Sequence, residues 1–385
     1  MKKITIFYGP KKGYEKLIPN KNTSLSEFIT NDDSKRKEII IKQQNQEQEY
    51  EVEKAKVHID NLVAYSESYA GITEGAVQSF ISILSGYDID NLFLQNPPIQ
   101  IRQQFEQAFP KIVEVKKYNY KALTKASFLK VNSSFSEYII GQERAKERIL
   151  VSLYPLLNKV NSKPMVLMFY GPSGVGKTET AKFISKMLGE KLFRKQFSMF
   201  HSGEFSGYLF GGNHSQPCFA KDLLERESNV ILLDEFDKPA PVFHSAFYQL
   251  FDEGVFEDKN YHVELFNSII ICTSNYQNEE EIRKHLGDPI FYRFDRFIKF
   301  DTLSLESTKK IIDICMSNKM KTIDLKERRI VNIKRIKDIM YSNASRFTNV
   351  RQIDKIAQEF IDLELVNNFI ETSSKTASNS SIASK

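Results

Sequence analysis

The chain has 385 residues, 41% hydrophobic and 27% charged, a balance that excludes wholesale disorder and leaves room for two or three domains with sizeable cores. A net charge of +5 is too small over this length to imply a nucleic-acid partner by itself, and three cysteines without paired spacing suggest neither a disulfide framework nor a zinc site. The apolar stretch opening the chain is too short for a secretory signal and no run elsewhere approaches a membrane span, so a soluble chain in a reducing cytoplasm, with no membrane partner, is expected.

Residues 1–130 read as a separate module, joined to the rest through the Lys- and Tyr-rich stretch Lys116 to Lys125. It opens with a strand at Ile4 to Tyr8. An apolar patch at Ile39 to Ile41 precedes a Gln- and Glu-rich stretch to Glu53. Val77, Phe80, Ile81 and Leu84 then form a helical face, and a helix is predicted from Ile99 to Phe109 after the Pro97-Pro98 break. These elements do not name a fold. The string Phe-Tyr-Gly-Pro occurs at residues 7–10 and again at 169–172, but the first copy lacks a Gly-Lys-Thr ending and the echo reads as chance.

From Ile139 to about Phe300, apolar runs alternate with helical patterns, the mark of an α/β unit in which a parallel sheet is flanked by helices. Strands are predicted at Met165–Tyr170, Phe193–Ser198, Val230–Leu233, Ser268–Thr273 and Phe297–Phe300. After Leu303 the pattern is helical throughout, so the chain divides into 1–130, 131–303, a small helical domain at 304–371 and a Ser-, Thr- and Lys-rich tail at 372–385 that reads as disordered.

The first predicted strand of that unit runs straight into Gly171, Pro172, Ser173, Gly174, Val175, Gly176, Lys177 and Thr178, which satisfies the GxxxxGK[ST] phosphate-loop pattern. Glycines let backbone N–H groups converge on one point, Lys177 can reach the β- and γ-phosphates of a nucleoside triphosphate, and the Thr178 hydroxyl can ligate Mg²⁺. Ala181, Ile184, Met187 and Leu188 follow at helical spacing until Gly189, so the loop also opens a helix whose N-terminus favours phosphate. About sixty residues on, an apolar strand ends in Asp234 and Glu235, where open α/β sheets bind ligands. Asp234 is expected to hold the Mg²⁺ shell and Glu235 to act as general base toward water.

These motifs resemble the AAA+ ATPases, and within them the Clp/Hsp100 branch of unfoldases and disaggregases. The likeness runs from Tyr138 to about Leu363. It rests on Ile140-Gly-Gln-Glu-Arg-Ala145, on FYGPSGVGKTETAK, on ILLDEFDK, and on Phe251 to Asp258 leading into Ser268 to Asn275. The resemblance implies that Ile140 contacts adenine and that Asn275 is the sensor 1 residue orienting the attacking water. It makes Arg293 an arginine finger supplied to a neighbouring subunit, and the following helical domain a lid. Sensor 2 falls on Arg351 or Arg346, with Arg351 preferred because it opens the helix marked by Ile353, Ile356 and Phe360. Between the second and third strands the family places an aromatic pore loop, and here either Tyr208 or Phe210 fits, unless the run is ordinary packing. His201 and His214, which flank it, read as surface residues.

The resemblance further implies a ring, most naturally a hexamer, that hydrolyses ATP to remodel a protein client chosen by residues 1–130. A Clp peptidase partner is disfavoured because the docking loop is missing. Two rivals remain: a nucleic-acid-linked motor or loader, suggested only by the basic balance, and a nucleotide-dependent scaffold or switch without translocation.

Overall fold

Two five-stranded sheets organise the molecule, and every strand pairing within them is parallel. The computed structural model describes residues 1–30, 56–157, 163–199 and 202–382; the patch Ile39–Ile41, the stretch to Glu53 and His201 lie outside them.

The first sheet contains β1 (Lys3–Tyr8), β2 (Thr23–Ser24), β3 (Val57–Ala64), β4 (Tyr87–Gln95) and β5 (Val113–Lys117), in the spatial order β2-β3-β4-β1-β5. Ile4, Ile6, Leu62, Leu92 and Leu94 are fully buried along it, and the helix Ile99–Ala108 adds Ile101 and Phe105 to the same core. The expected continuous helical face over Val77 to Leu84 is two short helices, Glu74–Gln78 and Phe80–Leu84, divided at Ser79. The Ser79 hydroxyl donates to the Gly75 carbonyl at 2.8 Å, a local bond that competes with helix continuation.

The second sheet contains β6 (Met165–Tyr170), β7 (Phe193–Gln196), β8 (Val230–Asp234), β11 (Ile269–Thr273) and β12 (Arg296–Lys299). A separate antiparallel pair, β9 (Val255–Glu257) and β10 (His262–Glu264), lies between β8 and β11 in the chain. The sheet order is β12-β6-β11-β8-β7. Alternate residues of β6 serve opposite faces: Val166 and Met168 pack into one core, Leu167 and Phe169 into the other. Cover on both faces explains why these strands read as unbroken apolar runs. Strand β7 is shorter than expected because Phe197–Met199 turns into a 3₁₀ segment that sends Phe197 into the core.

Helices Leu305–Thr322, Leu325–Ile330, Ile333–Ser342 and Val350–Ile382 complete the chain. Ile312, Met316, Met340, Ile353, Ala357 and Ile361 form their shared core. The last of these helices extends to Ile382, into the stretch from Thr372 that composition reads as disordered. Among the described residues no helix is long and apolar enough to cross a membrane.

The stretch Lys116 to Lys125 is no free connector. Tyr120 stacks under the buried Arg226 guanidinium at 4.0 Å, the Lys121 N–H donates to Glu190, and the Asn229 side chain donates to the Lys121 carbonyl. His214, read above as a surface residue, is buried between the units, its Nε2 2.9 Å from the Ile72 carbonyl oxygen.

Candidate nucleotide site

At the carboxyl end of β6 the chain leaves the sheet through Gly171, Gly174 and Gly176, all at positive φ (124°, 73° and 111°). Side chains are excluded here by space as well as by conformation. A Cβ on Gly171 would lie 2.2 Å from the Phe300 carbonyl oxygen, and one on Gly174 would lie 2.8 Å from Asn349 Cβ. The loop feeds directly into the helix Lys177–Leu188, which Gly189 ends at φ 72°. Lys177 is buried, and its ammonium donates to the Gly171 and Pro172 carbonyls (2.6 and 2.7 Å) and to Asn275 Oδ1 (3.1 Å). Burial pushes its pKa down to about 8, against the opposing fields of Asp234 and Asp237.

Asp234, at the end of the neighbouring strand β8, is the hub of a polar network. The Thr178 hydroxyl lies 3.3 Å from both carboxylate oxygens, Thr273 donates to Oδ1 at 2.6 Å, and Arg194 donates to Oδ2 through Nε and Nη2 at 3.0 and 2.6 Å. Glu235 follows with φ 57°, a left-handed conformation that a residue with a side chain seldom holds. Its N–H donates to Thr273 Oγ1 (2.9 Å), and its carboxylate accepts from Gln196 (3.2 Å). The unusual backbone turns Glu235 toward the cavity instead of continuing the strand.

These groups line one cavity of about 630 Å³, whose other walls are Ile139, Ile140 and, from the helical end of the chain, Ile311, Ile314, Cys315 and Arg351. The site is therefore polar at the strand ends and apolar where the helices close over it. Its residues fit a magnesium nucleotide: a glycine cradle without room for side chains, a buried ammonium within reach of the loop, and a hydroxyl beside a carboxylate. Lys177 and the loop would hold the phosphates, Thr178 and Asp234 the Mg²⁺, and Ile140 with the helical residues the base. The bound ion would supply charge neutralisation between phosphate oxygens.

Every residue expected at the nucleotide from the phosphate loop, Asp234, Glu235 and Asn275 lies on this cavity except Gly171 and Pro172, which sit behind it as acceptors for Lys177. Arg351 lines it; Arg346, the alternative, lies outside the lining in the turn Ala344–Arg346. Arg293 is not brought to the cavity. Its Nε donates to Asp252 at 2.8 Å and its guanidinium lies 4.2 Å over the Tyr248 ring.

The aromatic run between the second and third strands of this sheet is not a loop. It forms the helix Ser202–Phe210, in which Tyr208 is 6% exposed and donates to Asp222 at 2.5 Å, while Phe210, at the end, is 45% exposed. Arg194 and Gln196 were not foreseen. They stand two apart on β7 and therefore share a face, a period-two pattern visible in Phe-Arg-Lys-Gln once that strand is placed beside β8.

A sequence profile of the AAA domain (Cdc48 subfamily) matches residues 162–369, more than half of the chain. The chaperone protein ClpB of Malacoplasma penetrans is 26% identical over 263 residues, covering 61% of this chain and 37% of that protein. The ATP-dependent Clp protease ATP-binding subunit ClpE of Lactococcus lactis is 27% identical over 252 residues, covering 57% and 34%. The AAA+ ATPase ClpV1 of Pseudomonas aeruginosa is 33% identical over 177 residues, covering 42% and 19%. The chain thus spans about a third or less of the length of these relatives. It belongs to the AAA domain family, as an AAA+ ATPase module of the Clp/Hsp100 type.

Proposed function

We propose that this chain hydrolyses MgATP within a ring, most naturally a hexamer, and uses the cycle to remodel a protein client selected by residues 1–130. Glu235 acts as the base toward water, Asn275 positions that water, Arg351 is sensor 2, and Arg293 serves the site of the adjacent subunit. Residues 131–303 carry the nucleotide and residues 304–371 act as its lid. Three free thiols suit a reducing, cytoplasmic setting.

One observation carries the reading: Lys177, Thr178, Asp234, Glu235 and Asn275 converge on one cavity, while the only family arginine expected to touch a phosphate from outside, Arg293, is held away from it on Asp252. Supply of that cation by a neighbouring subunit is one way to complete such a site, and it is the one proposed here. Mixing Arg293→Ala with Glu235→Gln subunits tests this, because a shared interface can then pair an intact base with an intact finger. ATPase activity should reappear in the mixture. Additive activity at every ratio, with mixed rings shown to form, would sink the trans assignment.

Burial of Tyr208 favours a second reading, a nucleotide-dependent switch that pulls no polypeptide. Phe210 is the remaining candidate for a grip. If unfolded protein stimulates the ATPase and Phe210→Ala abolishes that stimulation, the remodelling reading stands; if unfolded protein never stimulates it, the switch reading replaces it. Stimulation by DNA alone would instead favour a nucleic-acid loader.

A further inference from the structure

Listed from one edge, the two sheets run β5-β1-β4-β3-β2 and β12-β6-β11-β8-β7. In each, the five strands stand in the order fifth, first, fourth, third, second of their own succession, all parallel. The agreement extends to single hydrogen bonds. Tyr118 N donates to Tyr8 O (2.7 Å) as Phe300 N donates to Tyr170 O (2.8 Å), and Asn96 N to Phe7 O (2.8 Å) as Ser274 N to Phe169 O (3.0 Å). The two Phe-Tyr-Gly-Pro strings therefore occupy the same place in the two frames, which corrects the reading of the echo as chance. Gly9, like Gly171, has a positive φ (148°), and a Cβ there would lie 2.3 Å from Tyr118 Cβ, against the end of the fifth strand as at Gly171.

The shared register shows what became of the chemistry. Gln95 stands opposite Phe7 as Thr273 stands opposite Phe169, and Ala64 opposite Leu94 as Leu233 opposite Cys272. The Asp234 position thus falls on Tyr65 and the Glu235 position on Ser66, whose N–H donates to Gln95 Oε1 (3.3 Å) as Glu235 N–H donates to Thr273. Counting from the glycine, the Lys177 position falls on Glu15 and the Thr178 position on Lys16. Tyr14, fully buried, fills the space between loop and third strand; its hydroxyl donates to the Ala64 carbonyl at 3.1 Å and its ring meets Tyr65 edge-on at 5.4 Å.

The loop is not idle. Asn96 clamps Gly9 by its N–H (2.9 Å) and carbonyl (3.0 Å), and together with Gln95 it donates to Glu225 Oε1, at 2.8 and 3.0 Å. Glu225 ends the helix Phe219–Leu224 of the nucleotide-binding unit. Lys12 pairs with Glu227 at 2.5 Å beside it.

We infer that the first unit is a second copy of the phosphate-loop sheet, closed to nucleotide by tyrosines, whose loop is now tied through Gln95 and Asn96 to an acidic side chain of the ATPase unit. The anion held there is Glu225, from the same chain, gripped by the two amide side chains at the end of β4 that also bind Gly9. The inference rests on the proposed nucleotide site only for the count of ligands per chain.

Titration of the full chain with a fluorescent ATP analogue and Mg²⁺ should give one nucleotide per chain, and none for Lys177→Ala. Two per chain, or one surviving in Lys177→Ala, would overturn closure of the first unit. Binding to neither protein would defeat the ATPase reading and agree with closure. For the latch, hydrogen exchange at residues 9–14 is the readout. Glu225→Lys should accelerate it at least about tenfold by local opening, and Glu225→Gln, which keeps the accepting oxygen, should stay within about threefold of wild type. If Glu225→Lys fails to fold, Glu225→Ala takes its place. Unchanged exchange in a folded Lys or Ala variant rules the latch out.

Discussion

The two sheets share strand order, direction and the hydrogen bonds at their carboxyl ends, yet one ends in lysine, threonine, aspartate and glutamate and the other in tyrosine, glutamine and asparagine. The strands that carry the compared ends, β1, β3 and β4 in one sheet and β6, β8 and β11 in the other, all bury apolar residues, so the frame does not depend on which polar groups stand at its ends. Fold and chemistry are separable at the scale of about five residues.

Four measurements press on this comparison. The largest effect concerns a group that neither sheet supplies to its own cavity. Arg293→Ala should lose about a thousandfold or more in turnover while nucleotide still raises the melting temperature as in wild type. A loss confined to binding would place Arg293 elsewhere. Next, Tyr14→Ala should destabilise the first unit by about 3 to 5 kcal/mol, the cost of emptying a buried aromatic position, without creating nucleotide binding, since Tyr65 and Glu15 remain. Denaturant melts with and without MgATP read both outcomes, and new nucleotide binding would mean that Tyr14 alone closes the site.

A third test uses ligand linkage. MgATP at a hundredfold excess over its Kd should stabilise the wild-type chain by about 2.7 kcal/mol; Lys177→Ala should abolish the shift and Glu15→Ala leave it intact. Equal loss in both would equate the two loops. The smallest effect is the pH dependence of the nucleotide-free protein. Lys177 has a folded pKa pushed down to about 8 from 10.5, so the folded state binds fewer protons in that window and stability rises with pH across it. That contribution is present above about 10.5, is lost as pH falls to about 8, and should be missing from Lys177→Met. Identical slopes for both proteins would refute the burial argument.

Much of the nucleotide-binding sheet is legible in the sequence, because strands buried on both faces must be apolar runs and the phosphate loop fixes one of them. The first sheet is harder to read. β2 has two residues and β5 carries Glu114, Lys116 and Lys117, so neither shows an apolar run, although both pair in register. Within the site, Lys177, Thr178, Asp234 and Glu235 follow from motif spacing, whereas Arg194 reaches Asp234 only through the lateral pairing of β7 with β8. Lateral pairing is a long-range property that local pattern does not carry. Tyr208 misleads for the opposite reason: glycine on either side suggests a loop, but the bond to Asp222 and packing against Phe219 hold it inside a helix.

The helical end of the chain touches the phosphate loop through the backbone. Val350 opens the helix Val350–Ile382, and its N–H donates to the Gly174 carbonyl at 3.0 Å. Because every residue but one offers the same donor, mutation can change the character of position 350 freely without breaking this tie. Only proline lacks the N–H, and the first position of a helix is where proline is otherwise welcome. The link between loop and helical end is thus written in a part of the polypeptide almost immune to sequence drift, and a single engineered proline would silence it while sparing the helix that bears it.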